Sequence, residues 1–199
     1  MKTFTRLALS ALMITTAAGV TACKSAATPT DTPGVERLGD YILRNAAKDV
    51  EVVMGYRHAA KNLGQEWLVL EVALSAPTGE TATIKRENIF VRAPDGTRVP
   101  LATQEEFGEA YSGLRARLRQ ADIQRDPMDY FPPSRQPCGL ELFAEPGTAV
   151  TFQQLSVDWK RACEGKLFFR IPGGVQPGRY VLGMDLEESQ IRIPFSLES

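Results

Sequence analysis

This 199-residue sequence predicts a mainly β domain, a sandwich or barrel of short strands with one amphipathic helix inserted among them. Three observations predict it. Apolar residues recur at every second position in segment after segment, turn residues punctuate those segments at regular intervals, and a single stretch switches to helical spacing.

The period-two segments come first in the argument because they set the core. In Asp49 to Arg57 the residues Val50, Val52, Met54 and Tyr56 share a face, and in Trp67 to Leu74 the residues Leu68, Leu70, Val72 and Leu74 do so, each strand turning that face to a core. Further strands are expected at Thr81 to Lys85, Ile89 to Ala93, Arg98 to Leu101, Val150 to Val157, Lys166 to Ile171, Arg179 to Leu186 and Ile191 to Leu197. In the last of these Pro194 removes a backbone donor, which suits an edge strand.

The turns agree. Ala93-Pro-Asp-Gly-Thr97 places proline where φ must be near −65° and glycine where φ can be positive, the chemistry of a short hairpin. Pro172-Gly-Gly174 and Pro177-Gly178 separate later strands in the same way, and Gly173-Gly174 opens no helix, so it reads as a turn rather than a phosphate cradle.

The inserted helix is expected at about residues 103–121. Thr103 and Glu106 form a capping box, and Phe107, Tyr111, Leu114, Leu118 and Ala121 recur at steps of four and three. Glu105, Glu106 and Glu109 near the start and Arg115, Arg117 and Arg119 near the end would complement the helix dipole.

The N-terminus carries a different kind of signal. Lys2 and Arg6 precede an apolar run from Leu7 to Val20, followed by Val20-Thr-Ala-Cys23, and this arrangement resembles the lipobox of bacterial lipoprotein signal peptides. The apolar run falls short of the ~20 residues a spanning helix needs. The resemblance implies cleavage of residues 1–22, acylation of Cys23 as the lipidation site, and anchoring to a membrane through that lipid. Lys24, where an aspartate would retain such a protein in the inner membrane, implies an outer-membrane address in the bacterial envelope. Residues 23–37, rich in Ser, Ala, Thr, Pro and Gly, read as the lipidated N-terminus and a flexible linker, and residues 38–199 as the folded domain.

Within that domain Trp67-Leu-Val-Leu-Glu-Val-Ala-Leu74, Ile89-Phe-Val-Arg-Ala-Pro-Asp-Gly-Thr-Arg-Val99, Gly165-Lys-Leu-Phe-Phe-Arg-Ile-Pro172 and Tyr180 to Leu186 resemble the telokin-like, immunoglobulin-like domain of unknown function that recurs in bacterial lipoproteins and secreted proteins. The resemblance implies an immunoglobulin-like fold in an envelope setting with no defined reaction, so the fold expected for this chain is an immunoglobulin-like β-sandwich with one inserted amphipathic helix. The helix and the Pro-rich stretch Asp126 to Pro137 depart from that pattern.

Composition and motif content narrow the chemistry. A formal charge of −1, from which loss of Lys2 and Arg6 would take two further positive charges, offers no basic patch for nucleic acid. His58 is the only histidine, no G-x-S-x-G elbow is present, and a strand-end surface position is the expectation for it; no catalytic residue, metal site or cofactor is assigned. Asp122, Asp126 and Asp129 fit no calcium loop and read as surface-turn carboxylates, and Arg115, Arg117, Arg119 and Arg125 as a solvated helix end. Cys138 and Cys163 are expected to form a structural disulfide, with a redox pair or metal ligands as the other readings.

The loop Asp129 to Pro137 supplies the candidate binding residues Tyr130, Phe131 and Arg135, an aromatic and arginine composition found at interface hot spots. Tyr130 and Phe131 serve equally well as caps on the core. The function expected is therefore a lipid-anchored binding or scaffolding module with an envelope protein or glycan as partner. An enzyme acting on envelope polymers is the alternative, and it would show as a buried pocket collecting His58 with two carboxylates. Cys23→Ser should leave the signal unprocessed and abolish incorporation of radiolabelled palmitate; full labelling of that variant would refute the lipid anchor.

Overall fold

The computed structural model describes residues 34–148 and 151–198, so the expected signal segment, Cys23 and most of the linker lie outside the described residues. In chain order the elements are β1 (Val35–Arg37), β2 (Ile42–Ala46), β3 (Glu51–Gly55), α1 (Arg57–Ala60), β4 (Trp67–Ser75), β5 (Thr81–Lys85), β6 (Ile89–Arg92), β7 (Arg98–Pro100), α2 (Gln104–Gln124), β8 (Gln136–Gly139), β9 (Gln154–Asp158), β10 (Arg161–Arg170), β11 (Gly178–Asp185) and β12 (Gln190–Leu197), with one 3₁₀ turn at Arg86–Asn88.

The strands make a β-sandwich with an inserted helix, as the alternation predicts. One sheet has the order β1-β2-β3-β4-β10-β8, the facing sheet β12-β11-β6-β7, and β5 and β9 form a two-stranded flank. Alternate residues of both sheets point inward, so Leu68, Leu70, Val72 and Leu74 of β4 meet Tyr180, Leu182 and Met184 of β11 in one continuous core. Pro194 lies in β12, an edge strand, so its missing donor breaks no ladder on the outer side. The β6–β7 hairpin closes through Ala93 N–H to Thr97 O (2.8 Å), with Gly96 at φ +87°.

Several expectations change. A strand, β1, falls inside the stretch read as linker. It has no alternation to announce it and is held as an edge by backbone pairing to β2 and by the Asn45 amide donating to Gly34 O (3.1 Å). β10 starts at Arg161, five residues before the expected strand, because its first half pairs with β4 and with β8 rather than relying on apolar alternation. The strand beside Cys138 is Gln136–Gly139, absent from the expected strands, and Leu140 and Leu142 after it turn inward as buried loop residues. β9 begins at Gln154, later than the expected Val150.

The larger change concerns β4, which is buried along its whole length. Its second face, expected to meet solvent, carries Trp67, Val69 and Ala73. Helix α2 covers Trp67, Val69 and Phe168 with Phe107 and Leu114, and a loop covers Ile42, Val53 and Ala73 with Met128 and Phe131. Exposed, these apolar side chains would forfeit roughly 25 cal/mol for each square ångström left in water.

α2 is fastened at its start. Thr103 Oγ1 accepts from Glu106 N–H (3.1 Å) while the Glu106 carboxylate accepts from Thr103 N–H (2.7 Å), which completes the capping box. The Gln104 amide donates to Ala144 O (2.7 Å) and accepts from Ala144 N–H (3.1 Å). Buried Arg86 donates to Leu142 O and Ala102 O and lies 4.5 Å from the Phe143 ring centroid. At its other end the helix runs to Gln124, past the expected limit near Ala121, so Arg115, Arg117 and Arg119 lie outside the last turn and that turn holds no basic residue. The expected complement to the helix dipole is therefore absent there.

Cys138 and Cys163 face each other across the parallel β8–β10 pair and are joined by a disulfide, Cα to Cα 4.3 Å, closing a separation of 25 residues. β8 is a four-residue edge strand with no buried residue of its own, so the covalent tie rather than packing holds it. In the chain-entropy view a loop of this length contributes about 3 kcal/mol. Reduction should therefore lower the melting temperature by roughly 6–12 °C, a size set by the slope for domains of this length. Alkylation before reduction should leave both thiols unmodified; two free thiols in the native protein by mass spectrometry would contradict the bond.

Candidate functional site

Two apolar clusters cover the outer face of the larger sheet, and between them runs a polar seam. Its centre is Glu71 of β4. Opposite it in register stand Gly55 of β3 on one side and Lys166 of β10 on the other, so Glu71 and Lys166 project to the same face. Gly55 is what makes room for the carboxylate. A β-carbon there would sit 3.4 Å from Glu71 Oε2 and 3.5 Å from Met128 Sδ, so the side chain of Glu71 occupies space that a larger residue would narrow.

Above this floor lies a cleft of about 220 Å³ lined by Glu71, Arg125, Met128, Glu164 and Lys166 together with Val72 and Gly165. Glu71 is only 7% exposed, and its Oε1 has no hydrogen-bond partner among the described residues. Lys166, its cross-strand neighbour, is instead bonded to Asp122 of α2. Arg125 pairs loosely with Glu164 (3.9 Å). Asp126 is engaged by Arg57 through two nitrogens, Nη2 to Oδ1 2.6 Å and Nε to Oδ2 2.9 Å, and the guanidinium of Arg57 lies 4.6 Å from the Tyr41 ring centroid.

Burial lifts the Glu71 carboxyl from its ordinary value to about 7. Lys166 and Arg125 oppose the rise, while Asp122 and Asp126 reinforce it. A carboxyl so placed changes charge near neutral pH, and its cleft opens to solvent beside two cations and a second carboxylate. Such a group can accept a hydrogen bond or a positive charge from a molecule entering the cleft.

His58 lies elsewhere than expected. It is 5% exposed, on the short helix α1 rather than at a strand-end surface, because the chain turns inward after Gly55 and packs α1 against β4 and α2. The Asn62 amide lies 3.3 Å from its Nδ1 and donates to its carbonyl (2.7 Å). Burial, then the positive charges of Lys166 and Arg117, push its imidazole below the ordinary histidine value. Its ring is therefore set against an amide and under the field of cations, an arrangement unlike the pairing with two carboxylates that acid-base chemistry would use.

Compared with family models, curated proteins and solved structures, this chain matches none.

The three residues singled out on the Pro-rich loop are not brought together as one exposed platform. Tyr130 is 37% exposed, whereas Phe131 is buried against Ile42, Val53 and Ala73 as a cap on the outer sheet face. Arg135 lies over the Phe131 ring (5.2 Å) and turns its guanidinium toward Glu51 (3.9 Å). Asp122 and Asp126, read from sequence as surface-turn carboxylates, are ion-pair partners at the seam, while Asp129 is exposed.

Glu71 and Lys166 escaped the sequence reading because period-two alternation singles out only the residues that face the sandwich core. A usable signal was present: in Trp67 to Ser75 one charge stands in an otherwise apolar run, the pattern of a strand buried on both faces. With its folded value raised, Glu71 holds its proton in the native state between the ordinary value of 4.5 and about 7, so it destabilises the fold progressively as pH rises through that window. The full cost above pH 7 is on the order of 3 kcal/mol. Glu71→Gln should raise the melting temperature at pH 8 by several degrees and by much less at pH 5; an equal change at both pH values would mean that the carboxyl is ionised throughout.

Proposed function

We propose that this chain is a lipid-anchored bacterial envelope protein, held by acyl chains on Cys23, that acts as a binding or scaffolding module with the cleft over Glu71 as its binding surface. The anchor is supported by the match of Val20-Thr-Ala-Cys23 to the lipobox, and the outer-membrane address by Lys24 in place of aspartate. The disulfide between Cys138 and Cys163 suits an oxidising compartment outside the cytoplasm. The telokin-like resemblance of the strand motifs adds the same setting.

One observation carries the binding role: a carboxylate kept nine-tenths buried and unpartnered at the floor of an open cleft. Folding alone gains nothing from it. An apolar residue at position 71 would join the two flanking clusters and remove a penalty of several kcal/mol per unpaired buried charge. Local costs of this kind concentrate where a site must receive something. The partner is an envelope component, protein or glycan, that presents a complementary group to the seam.

A photo-crosslinking residue in place of Arg125, at the cleft wall, should give a discrete adduct in pull-downs from intact envelopes. The same residue in place of Arg92, exposed on the opposite sheet, should give none. Matching adducts from both positions, or none from position 125, would overturn the assignment of the surface.

A further inference from the structure

We infer that the cleft over Glu71 binds a primary ammonium group. The inference rests on the reading of the cleft as the binding surface and supplies the chemical class of what enters it.

The charges on the seam do not balance. From α2 and the loop that follows come Asp122, Arg125 and Asp126; from β10, Glu164 and Lys166; from α1, Arg57; and from β4, Glu71. Each cation has a carboxylate partner, Lys166 with Asp122, Arg125 with Glu164 and Arg57 with Asp126. Glu71 is the carboxylate left over, and among the described residues nothing donates to its Oε1. The site is therefore short of one positive charge, and the residue that lacks a partner lines the cleft, with its Oε1 buried just beneath the surface.

Size and shape decide what kind of cation fits. At about 220 Å³ the space is below the ~300–1,000 Å³ of pockets that take drug-sized ligands. An ammonium is a compact point charge with three donors, whereas a guanidinium needs a planar fork of acceptors. Glu71 offers one acceptor at the floor and Glu164 another on the wall, while the Met128 thioether gives the carbon stem an apolar contact. Among the described residues no group of three or more His, Cys, Asp or Glu is placed to hold a metal ion, and two carboxylates are far fewer than the roughly six to eight oxygens a calcium ion takes. The ligand is thus the end of an alkylamine: a free amine, or an amine presented on a peptide or an amino sugar.

The native ammonium of Lys166 sets the competing outcome. It faces Glu71 across the strands but is bonded to Asp122, and if it turned to Glu71 on ionisation the site would close on itself. Titration of the full-length protein with n-butylamine separates the two cases, with n-butanol as the uncharged control. Butylamine stays protonated from pH 6 to 8, so only Glu71 governs the pH dependence.

One saturable site is expected, absent with butanol. Affinity should rise about tenfold between pH 6 and pH 8 as the carboxyl ionises. Glu71→Gln, which preserves shape and removes the charge, should weaken binding at pH 8 at least about tenfold. Lack of saturable binding, or equal affinity in Glu71→Gln, overturns the ammonium assignment. In that event the crosslinking adduct at position 125 tells the two failures apart. If it persists and is lost in Glu71→Gln, the cleft binds something other than an amine, and if it is absent the cleft is not the binding surface.

Discussion

Strand β4 lies between two layers, and the rest of the structure follows from covering it. Its inward side chains require the facing sheet, as in any sandwich. Its outward side chains, Trp67, Val69 and Ala73, require a third layer. The chain supplies that layer from one excursion between β7 and β10: helix α2 lies over one end of the strand, and Met128 with Phe131 lies over the other. The ties on that excursion are those of a segment that must stay docked. Gln104 and Arg86 hold its beginning against the 142–144 loop, and the disulfide holds its return beside β10. Removing any of them exposes apolar area on the sheet rather than merely loosening a surface loop.

The two covering clusters do not meet, and the gap between them is the seam. Glu71 is buried there because Met128, which packs on the sheet with Phe131, Val53 and Ala73, closes over it from one side and the residues after α2 wall it on the other. Its burial is a consequence of packing, whereas its lack of a partner is not. Lys166 stands in register beside it and is drawn instead to Asp122, an ion pair that fastens the last turns of α2, whose final turn holds no basic residue of its own. His58 feels the same lysine from the other side and is held neutral by burial. Thus Glu71 costs the fold stability as pH rises from 4.5 to about 7, and His58 costs it as pH falls below the ordinary histidine value of 6.5.

Much of the sandwich was legible because its signals are local. Ile191, Ile193, Phe195 and Leu197 alternate cleanly, the Pro-Asp-Gly turn specifies its own dihedrals, and Thr103 with Glu106 announces the helix start. The cysteine pairing was legible by elimination. Elements held by backbone pairing or by a covalent tie were hidden, since β1 and β8 carry no apolar pattern to read. The site was hidden for a different reason. Alternation tells which residues of a strand face away from the sandwich but not that an insertion distant in the chain covers them, so Glu71 and Lys166 were not singled out. His58 was misplaced for the same reason, because α1 is a four-residue helix whose burial depends on β4 and α2 together.

The construction of the cleft gives its floor and its walls different mechanical status. Glu71, Lys166 and Glu164 belong to paired strands at the centre of the larger sheet, where neighbouring ladders fix their positions. Arg125 and Met128 belong to the excursion, beyond the last turn of α2, where the strong ties at its start and the disulfide at its return are both distant along the chain. Arg57 bridges the two parts: it leaves β3 through α1 and grips Asp126 with two nitrogens. Anything that binds Glu71 and touches that wall therefore links the sheet to the segment that follows α2 in its cover. Neutralising Glu71 would also free Lys166 from its competing attraction toward that carboxylate and strengthen its hold on Asp122. Occupancy of the cleft and docking of the end of α2 are then favourable to each other, a coupling that follows from the shared lysine and needs no change in the sandwich beneath.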